Sequence, residues 1–235
     1  MKKFFSISIA LFAFTLSSCD EEDPRSGLTS AQIIQMQTEN EAIPADGNSR
    51  IKITAQLQSE SDPNQEITFT TDQGYFAGTE QKKIHIVKAS GKSAEAYIIS
   101  NREVNDYITL SAKVGDFSTS KTVSFTRALP DAFTLTAGSS RQVLNNGRGN
   151  VSLNLQFQNN GAAKNSMNTQ VFLKQRPLEL NGPSLSIPEF VIVDDQTASF
   201  NVSCLDSVLV GSVQVIAYLE GAEDSSRVEL IVVDK

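Results

Sequence analysis

The sequence predicts an all-β chain folded as two β-sandwiches in tandem. Three observations lead there. Apolar residues recur at every second position in run after run, and no long segment spaces them at the helical i, i+3, i+4, i+7. Val, Ile, Thr and Phe, the residues that fit a pleated surface, are plentiful. The alternating pattern of the first half also returns in the second, which marks an internal repeat.

Taken in order, the chain opens with Lys2 and Lys3, an apolar run over residues 4–16, and the small residues Ser17 and Ser18 before Cys19. That is the grammar of a secretory signal over residues 1–18. The run is short of the roughly 20 apolar residues that a membrane-spanning helix needs. Asp20, Glu21, Glu22 and Asp23 follow, then Pro24. Like charges in a row repel, so residues 19–30 read as an acidic tether.

Strands come next. Ile51, Ile53, Ala55 and Leu57 alternate with Arg50, Lys52, Thr54 and Gln56, the mark of a half-buried strand. Ile67 and Phe69 belong to another, as do Ala94, Ala96 and Ile98. Ile108, Leu110, Ala112 and Val114 follow, then Val123 and Phe125, with glycines such as Gly74 and Gly91 at the turns. Ala128-Leu129-Pro130 breaks the pattern and reads as a linker. Alternation resumes at Val151, Leu153, Leu155 and Phe157, and continues at Val171 and Leu173. Residues 190–193 form a short continuous apolar run. Ala198, Phe200 and Val202 alternate, then Val213, Val215, Ala217 and Leu219, then Val228, Leu230 and Val232.

The two series superpose. Ala45-Asp46-Gly47 before Ile51 matches Asn145-Asn146-Gly147 before Val151, and Leu110-Ala112-Val114 matches Val215-Ala217-Leu219. Two units of about seven short strands each follow, over residues 31–127 and 131–235 with a linker at 128–130.

Three stretches carry resemblances. Ala45-Asp46-Gly47 running into Ile51-Lys52-Ile53-Thr54-Ala55 resembles the opening of bacterial immunoglobulin-like domains of the invasin/intimin group. Ile67-Thr68-Phe69-Thr70 and Ile108-Thr109-Leu110-Ser111-Ala112 resemble later strands of that group. The group's Gly-Xaa-Pro between its first two strands is replaced by Ser61-Asp62-Pro63-Asn64-Gln65. The resemblance implies immunoglobulin-like sandwiches and an adhesion, spacer or envelope-scaffold role. Leu16-Ser17-Ser18-Cys19 resembles the lipobox of bacterial lipoproteins, which implies cleavage before Cys19, its acylation, and a membrane partner reached through lipid. Several acyl chains, at roughly 0.8 kcal/mol per buried methylene, anchor stably where one does not. The run Asp20, Glu21, Glu22, Asp23 resembles the lipoprotein export signal of Bacteroidetes, which implies the outer membrane with the protein facing outward.

Chemistry has little to stand on. Lys2 and Lys3 leave with the signal, so 18 of the 20 basic residues remain against 27 acidic ones, a mature formal charge of −9. That balance disfavours nucleic acid. With Cys19 acylated, Cys204 has no partner for a disulfide, and its place after Ala198, Phe200 and Val202 turns it inward as an inert thiol. His85, the one histidine, lies between Ile84 and Ile86 and reads as an exposed strand residue facing away from their side. No nucleophile, zinc or phosphate-loop motif occurs, and Asp194-Asp195 and Glu223-Asp224 lack calcium-loop spacing. No enzyme, metal or cofactor is therefore expected. The alternative to adhesion is an accessory glycan-binding lipoprotein of a nutrient-uptake system. Sugar would stack on Tyr75 and Phe76 beside Gly74, or on Tyr97 and Tyr218 at outward positions. Asp206-Ser207-Val208 resembles a Bacteroidetes O-glycosylation motif, which implies modification of Ser207.

Overall fold

The computed structural model of the chain describes residues 27–234 apart from 59, 60, 148, 195, 207 and 223. Cys19, Asp20, Glu21, Glu22, Asp23 and Ser207 thus lie outside the described residues.

The chain enters through Leu28, which packs on the first core, and one helical turn, α1 (Ser30–Ile33), in which the Gln32 side chain accepts from the Thr29 N–H at 2.8 Å. Nine strands follow: β1 (Ile34–Thr38), β2 (Ala42–Pro44), β3 (Arg50–Leu57), β4 (Glu66–Thr71), β5 (Tyr75–Phe76), β6 (Ile84–Lys88), β7 (Ser93–Ile99), β8 (Asn105–Val114) and β9 (Phe117–Thr126). The second unit repeats the count: β10 (Ala132–Ala137), β11 (Gln142–Leu144), β12 (Asn150–Gln158), β13 (Thr169–Pro177), β14 (Leu185–Ser186), β15 (Phe190–Val193), β16 (Thr197–Cys204), β17 (Gly211–Tyr218) and β18 (Ser225–Val233). Alternation misses β1, β2, β5, β10, β11 and β14. Most of these are only two or three residues long, too short to show a period.

Each unit is two sheets face to face. In the first the orders are β1-β3-β7-β5 and β2-β9-β8-β4-β6; in the second, β10-β12-β16-β14 and β11-β18-β17-β13-β15. Adding nine to each label of the first unit generates the second, so the sequence repeat is a repeat of topology. The first strand of each unit is split between the layers. β1 lies antiparallel to β3, then the chain crosses over and β2 runs parallel to β9; β10 and β11 do the same with β12 and β18.

Alternation becomes burial as a strand's period of two requires. Ile51, Ile53, Ala55 and Leu57 of β3 are buried and face Ile67, Phe69, Ile108, Leu110 and Phe125 from the other sheet's strands, in one core. Val151, Leu153, Leu155 and Phe157 of β12 join Val202, Cys204, Val213, Val215 and Leu230 in a second core. Gly74 shows why a turn residue cannot vary. Its φ is +70°, and a Cβ there would stand 2.5 Å from the Ile99 carbonyl oxygen.

One strand reverses the expected parity. Ile84 and Ile86 of β6 are 56% and 59% exposed, and His85 turns inward against Phe76, ring centroids 5.7 Å apart. β6 ends its sheet, and the inner space beneath it is already filled by Phe76 and Val87. The isoleucines therefore point outward.

Candidate functional site

The aromatic residues singled out as ligand contacts do not converge. Phe76 is fully buried, in ring contact with Phe69 at 6.4 Å, and is a core residue rather than a binding one. Tyr75, half-buried, pairs with Ile99 across β5 and β7. Tyr97 shares that outward face and is 43% exposed, opposite Lys52, which is paired at 2.7 Å with Glu95. Tyr218 belongs to the second unit.

There Tyr218 is part of a row that sequence reasoning missed. Phe190, Phe172 and Tyr218 stand opposite one another across β15, β13 and β17 on the outward face. Phe172 stacks on Tyr218 at 5.7 Å and lies 6.3 Å from Phe190, while the Lys174 ammonium sits 5.1 Å from the Tyr218 ring centre. The rings cover one another's faces, so the row works as a cross-strand ladder. A sugar needs an open ring face, and at Tyr218 that face is occupied.

The best-built polar assembly is the junction between the two units. It rests on residues 163–169, the end of the loop from β12 and the first residue of β13. The Ser166 hydroxyl donates to the Ala45 carbonyl at 3.0 Å and accepts from the Ala128 N–H at 2.8 Å, while its backbone N–H donates to the Ala128 carbonyl at 2.9 Å. One side chain thus ties together the first unit, the linker and the second unit. The Lys164 N–H donates to the Asp46 carbonyl at 3.1 Å, and the Met167 N–H to the Arg102 carbonyl at 2.8 Å. Arg102 reaches across in return. Its Nε donates to the Asn165 carbonyl at 2.9 Å and its guanidinium also meets the Asp194 carbonyl. Asn165 and Ser166 are 0% and 1% exposed. Buried polar groups this fully satisfied favour one arrangement over others. Two cavities of about 280 Å³ flank the junction, and Arg127 lines both.

Asp46 sits behind that contact. Burial pushes its carboxyl upward, but hydrogen bonds outweigh it: the Ser49 N–H at 2.6 Å and hydroxyl at 2.7 Å, the Asn48 N–H at 2.8 Å, and the Ser100 hydroxyl at 3.2 Å. The net result holds Asp46 below the ordinary carboxylate value. Its charge therefore fixes the turn before β3, whose far side takes the Lys164 N–H.

Cys204 is fully buried, its thiol within reach of the Ser184 and Asp206 carbonyls at 3.5 and 3.4 Å, and burial raises its pKa. The His85 side chain has no hydrogen-bond partner among the described residues. No group of three or more His, Cys, Asp or Glu among them could hold a metal ion. No described helix is long and apolar enough to cross a membrane.

No family model and no curated protein matches the sequence. Solved structures do match. The adhesin InvE of Yersinia pseudotuberculosis superposes with a TM-score of 0.61 at 14% identity, over 89% of this chain and 61% of that one. Invasin, a bacterial integrin-binding protein, superposes with a TM-score of 0.57 at 16% identity, over 86% of this chain and 39% of that one. This chain therefore spans less than two thirds of either. At such identities the likeness speaks for architecture. Together with the four sheets it establishes an all-β chain of two immunoglobulin-like β-sandwiches in the manner of the invasin domains.

Proposed function

We propose that this chain is a lipid-anchored adhesion protein of the bacterial cell surface, without catalytic activity. In this reading acylated Cys19 holds it to the outer membrane. Asp20, Glu21, Glu22 and Asp23 route it to the outer face, and the two sandwiches form a stiff spacer that presents edge strands and end loops to a protein partner. Invasin, which shares the architecture, is an integrin-binding protein, and that likeness supports a protein rather than a sugar as the ligand. The observation that carries the reading is that both sandwiches fall within one superposition on an adhesin, over 89% of the chain. The buried junction supports the spacer role, because a fixed angle transmits position where a flexible linker would not.

The anchor is tested by metabolic labelling with an alkyne fatty acid. Cys19→Ala is expected to lose the label and accumulate uncleaved precursor; label retained in the variant would refute the lipoprotein reading. Replacing residues 20–23 with Ala should leave the protein acylated but hidden from protease added to intact cells. Shaving at the unchanged rate would reduce those acids to a tether. Of the proposed aromatic contacts, Tyr97 is the one left open for sugar. Glycan-array binding abolished by Tyr97→Ala would move the function to glycan capture.

A further inference from the structure

Of the eight sheet edges among the described residues, two stand out. β6 ends one five-stranded sheet and β15 ends the equivalent sheet of the other unit. β6 pairs only with β4, and β15 only with β13. An unpaired edge is a template for another chain, and proteins ordinarily blunt it with charge or proline and keep it free of outward apolar residues. Here both edges carry two large apolar residues outward, two positions apart: Ile84 and Ile86 at 56% and 59% exposure, Phe190 and Ile192 at 41% and 45%. The feature occurs twice in one chain, at topologically equivalent positions.

The charges that flank the apolar pairs differ in sign, although Glu66 stands opposite Lys88 across β4 and Glu80 lies near Lys82. Lys82 and Lys83 precede the β6 isoleucines and Lys88 follows them. Glu189 precedes Phe190, and Asp194 follows Val193. Lys82, Lys88 and Glu189 are exposed and have no ion-pair partner among the described residues. Lys83 is used within its own unit, donating to the Asp72 carbonyl. One Asp194 carboxylate oxygen accepts the Asn168 N–H at 2.9 Å. Matched in the same antiparallel way, two β6 edges would set Lys82 opposite Lys88, and two β15 edges would set Asp194 opposite Pro188 with Glu189 beside it. Of the three, the mixed pairing is the one that sets a lysine directly opposite a carboxylate, so the flanking residues favour it.

We propose that β6 of one copy pairs with β15 of a second copy of this chain. Because the two edges occupy equivalent positions, a pairing that keeps both outward faces on one side is antiparallel. Matching outward residues then sets Ile84 opposite Ile192, Ile86 opposite Phe190 and Lys82 opposite Asp194, with Lys88 one step from Glu189. A depression of about 450 Å³, lined in part by Gly78, Thr79, Ile84 and Ile86, lies beside β6 and receives the Phe190 ring. The contact joins different surfaces of identical chains. It closes as a dimer if both β6–β15 contacts form between the same two copies, and propagates otherwise. It does not depend on how the chain is anchored or on which partner it binds.

Two differently tagged full-length copies, co-expressed and oxidised in intact cells, test this. Ile86→Cys in one with Phe190→Cys in the other, and Ile84→Cys with Ile192→Cys, are expected to give the mixed disulfide-linked dimer. Ile86→Cys in both copies should give about fivefold less. The unsubstituted chain, which carries Cys19 and the fully buried Cys204, sets the background. Lys82→Glu with Lys88→Glu in the first copy should lower the yield about fivefold, and Glu189→Lys with Asp194→Lys in the second should restore it. All of these positions are exposed, and circular dichroism checks that each variant keeps the β fold. Equal yields for every cysteine pair, no yield above background, or yields indifferent to charge reversal would overturn the proposal.

Discussion

Cys204 shows a residue whose chemistry is set by its position. Its parity after Ala198, Phe200 and Val202 places it inward, and the structure leaves it fully buried with a raised pKa. The thiolate is the reactive form, so a thiol reagent should label Cys204 slowly in the native protein and rapidly in denaturant. Cys204→Ser is expected to cost about 1–3 kcal/mol in a urea melt, because a buried hydroxyl costs more to desolvate and its shorter bond leaves it farther from the Ser184 and Asp206 carbonyls that the thiol reaches. Rapid native labelling would show that the strand register is wrong. Asp46 carries the opposite kind of signature. Its folded pKa lies below its unfolded value, so the ionised carboxylate stabilises the fold fully above the unfolded pKa, and that contribution fades as pH falls below about 4. Asp46→Asn should therefore melt below the unsubstituted chain at pH 7, and the gap should close as pH falls through the lowered folded pKa. The second unit already has Asn146 at the equivalent position, so its own transition is the internal control.

At the scale of elements, alternation was legible and direction was not always. β3, β7, β8 and β12 bury the residues that their period marks, because long strands in the middle of a sheet have one face on the core. β6 has the same alternation and the opposite outcome. Period two says that Ile84 and Ile86 share a face, not which face, and at the sheet's end the core was already filled by Phe76. The same burial removes Phe76 from the binding residues. Phe76→Ala should cost about 3–5 kcal/mol and leave His85 over a cavity, whereas Tyr97→Ala should cost well under 1 kcal/mol. Comparable losses for the two would contradict the burial that separates them. The row Phe190, Phe172, Tyr218 was illegible for another reason. Its members come from three strands, and only register brings them opposite one another.

The whole molecule is two repeats and one junction, and only the repeats could be read in advance. Residues 163–169 have no period and no motif, because most of their hydrogen bonds are made by backbone groups that any sequence carries. Ser166 differs among the bonds to the first unit: its hydroxyl reaches Ala45 of that unit and Ala128 of the linker. Ser166→Ala should leave each unit folded, with the Ala45 carbonyl and the Ala128 N–H losing a partner, and Arg102→Ala should remove the reciprocal clamp. Together they are expected to broaden the distance distribution between spin labels placed one in each unit. An unchanged distribution would mean that the angle is set elsewhere. We propose residues 31–127 and 131–235 as separately folding units, and expression of each alone as a β-rich monomer tests that.

The split first strand bears on what happens under tension. β2 runs parallel to β9, its Ala45 N–H bonded to the Thr126 carbonyl at 2.7 Å and the Ser124 N–H to the Glu41 carbonyl at 2.9 Å. Pulling the chain by its two ends draws β2 toward the N-terminus and β9 toward the C-terminus. Parallel neighbours pulled that way slide past each other, so the bonds between them bear the load together instead of opening one at a time. β11 and β18 repeat the arrangement in the second unit. Each sandwich thus carries its own shear clamp, and stretching single molecules should yield two separate rupture events. The first is expected to weaken when Ile43→Pro removes a backbone N–H from β2.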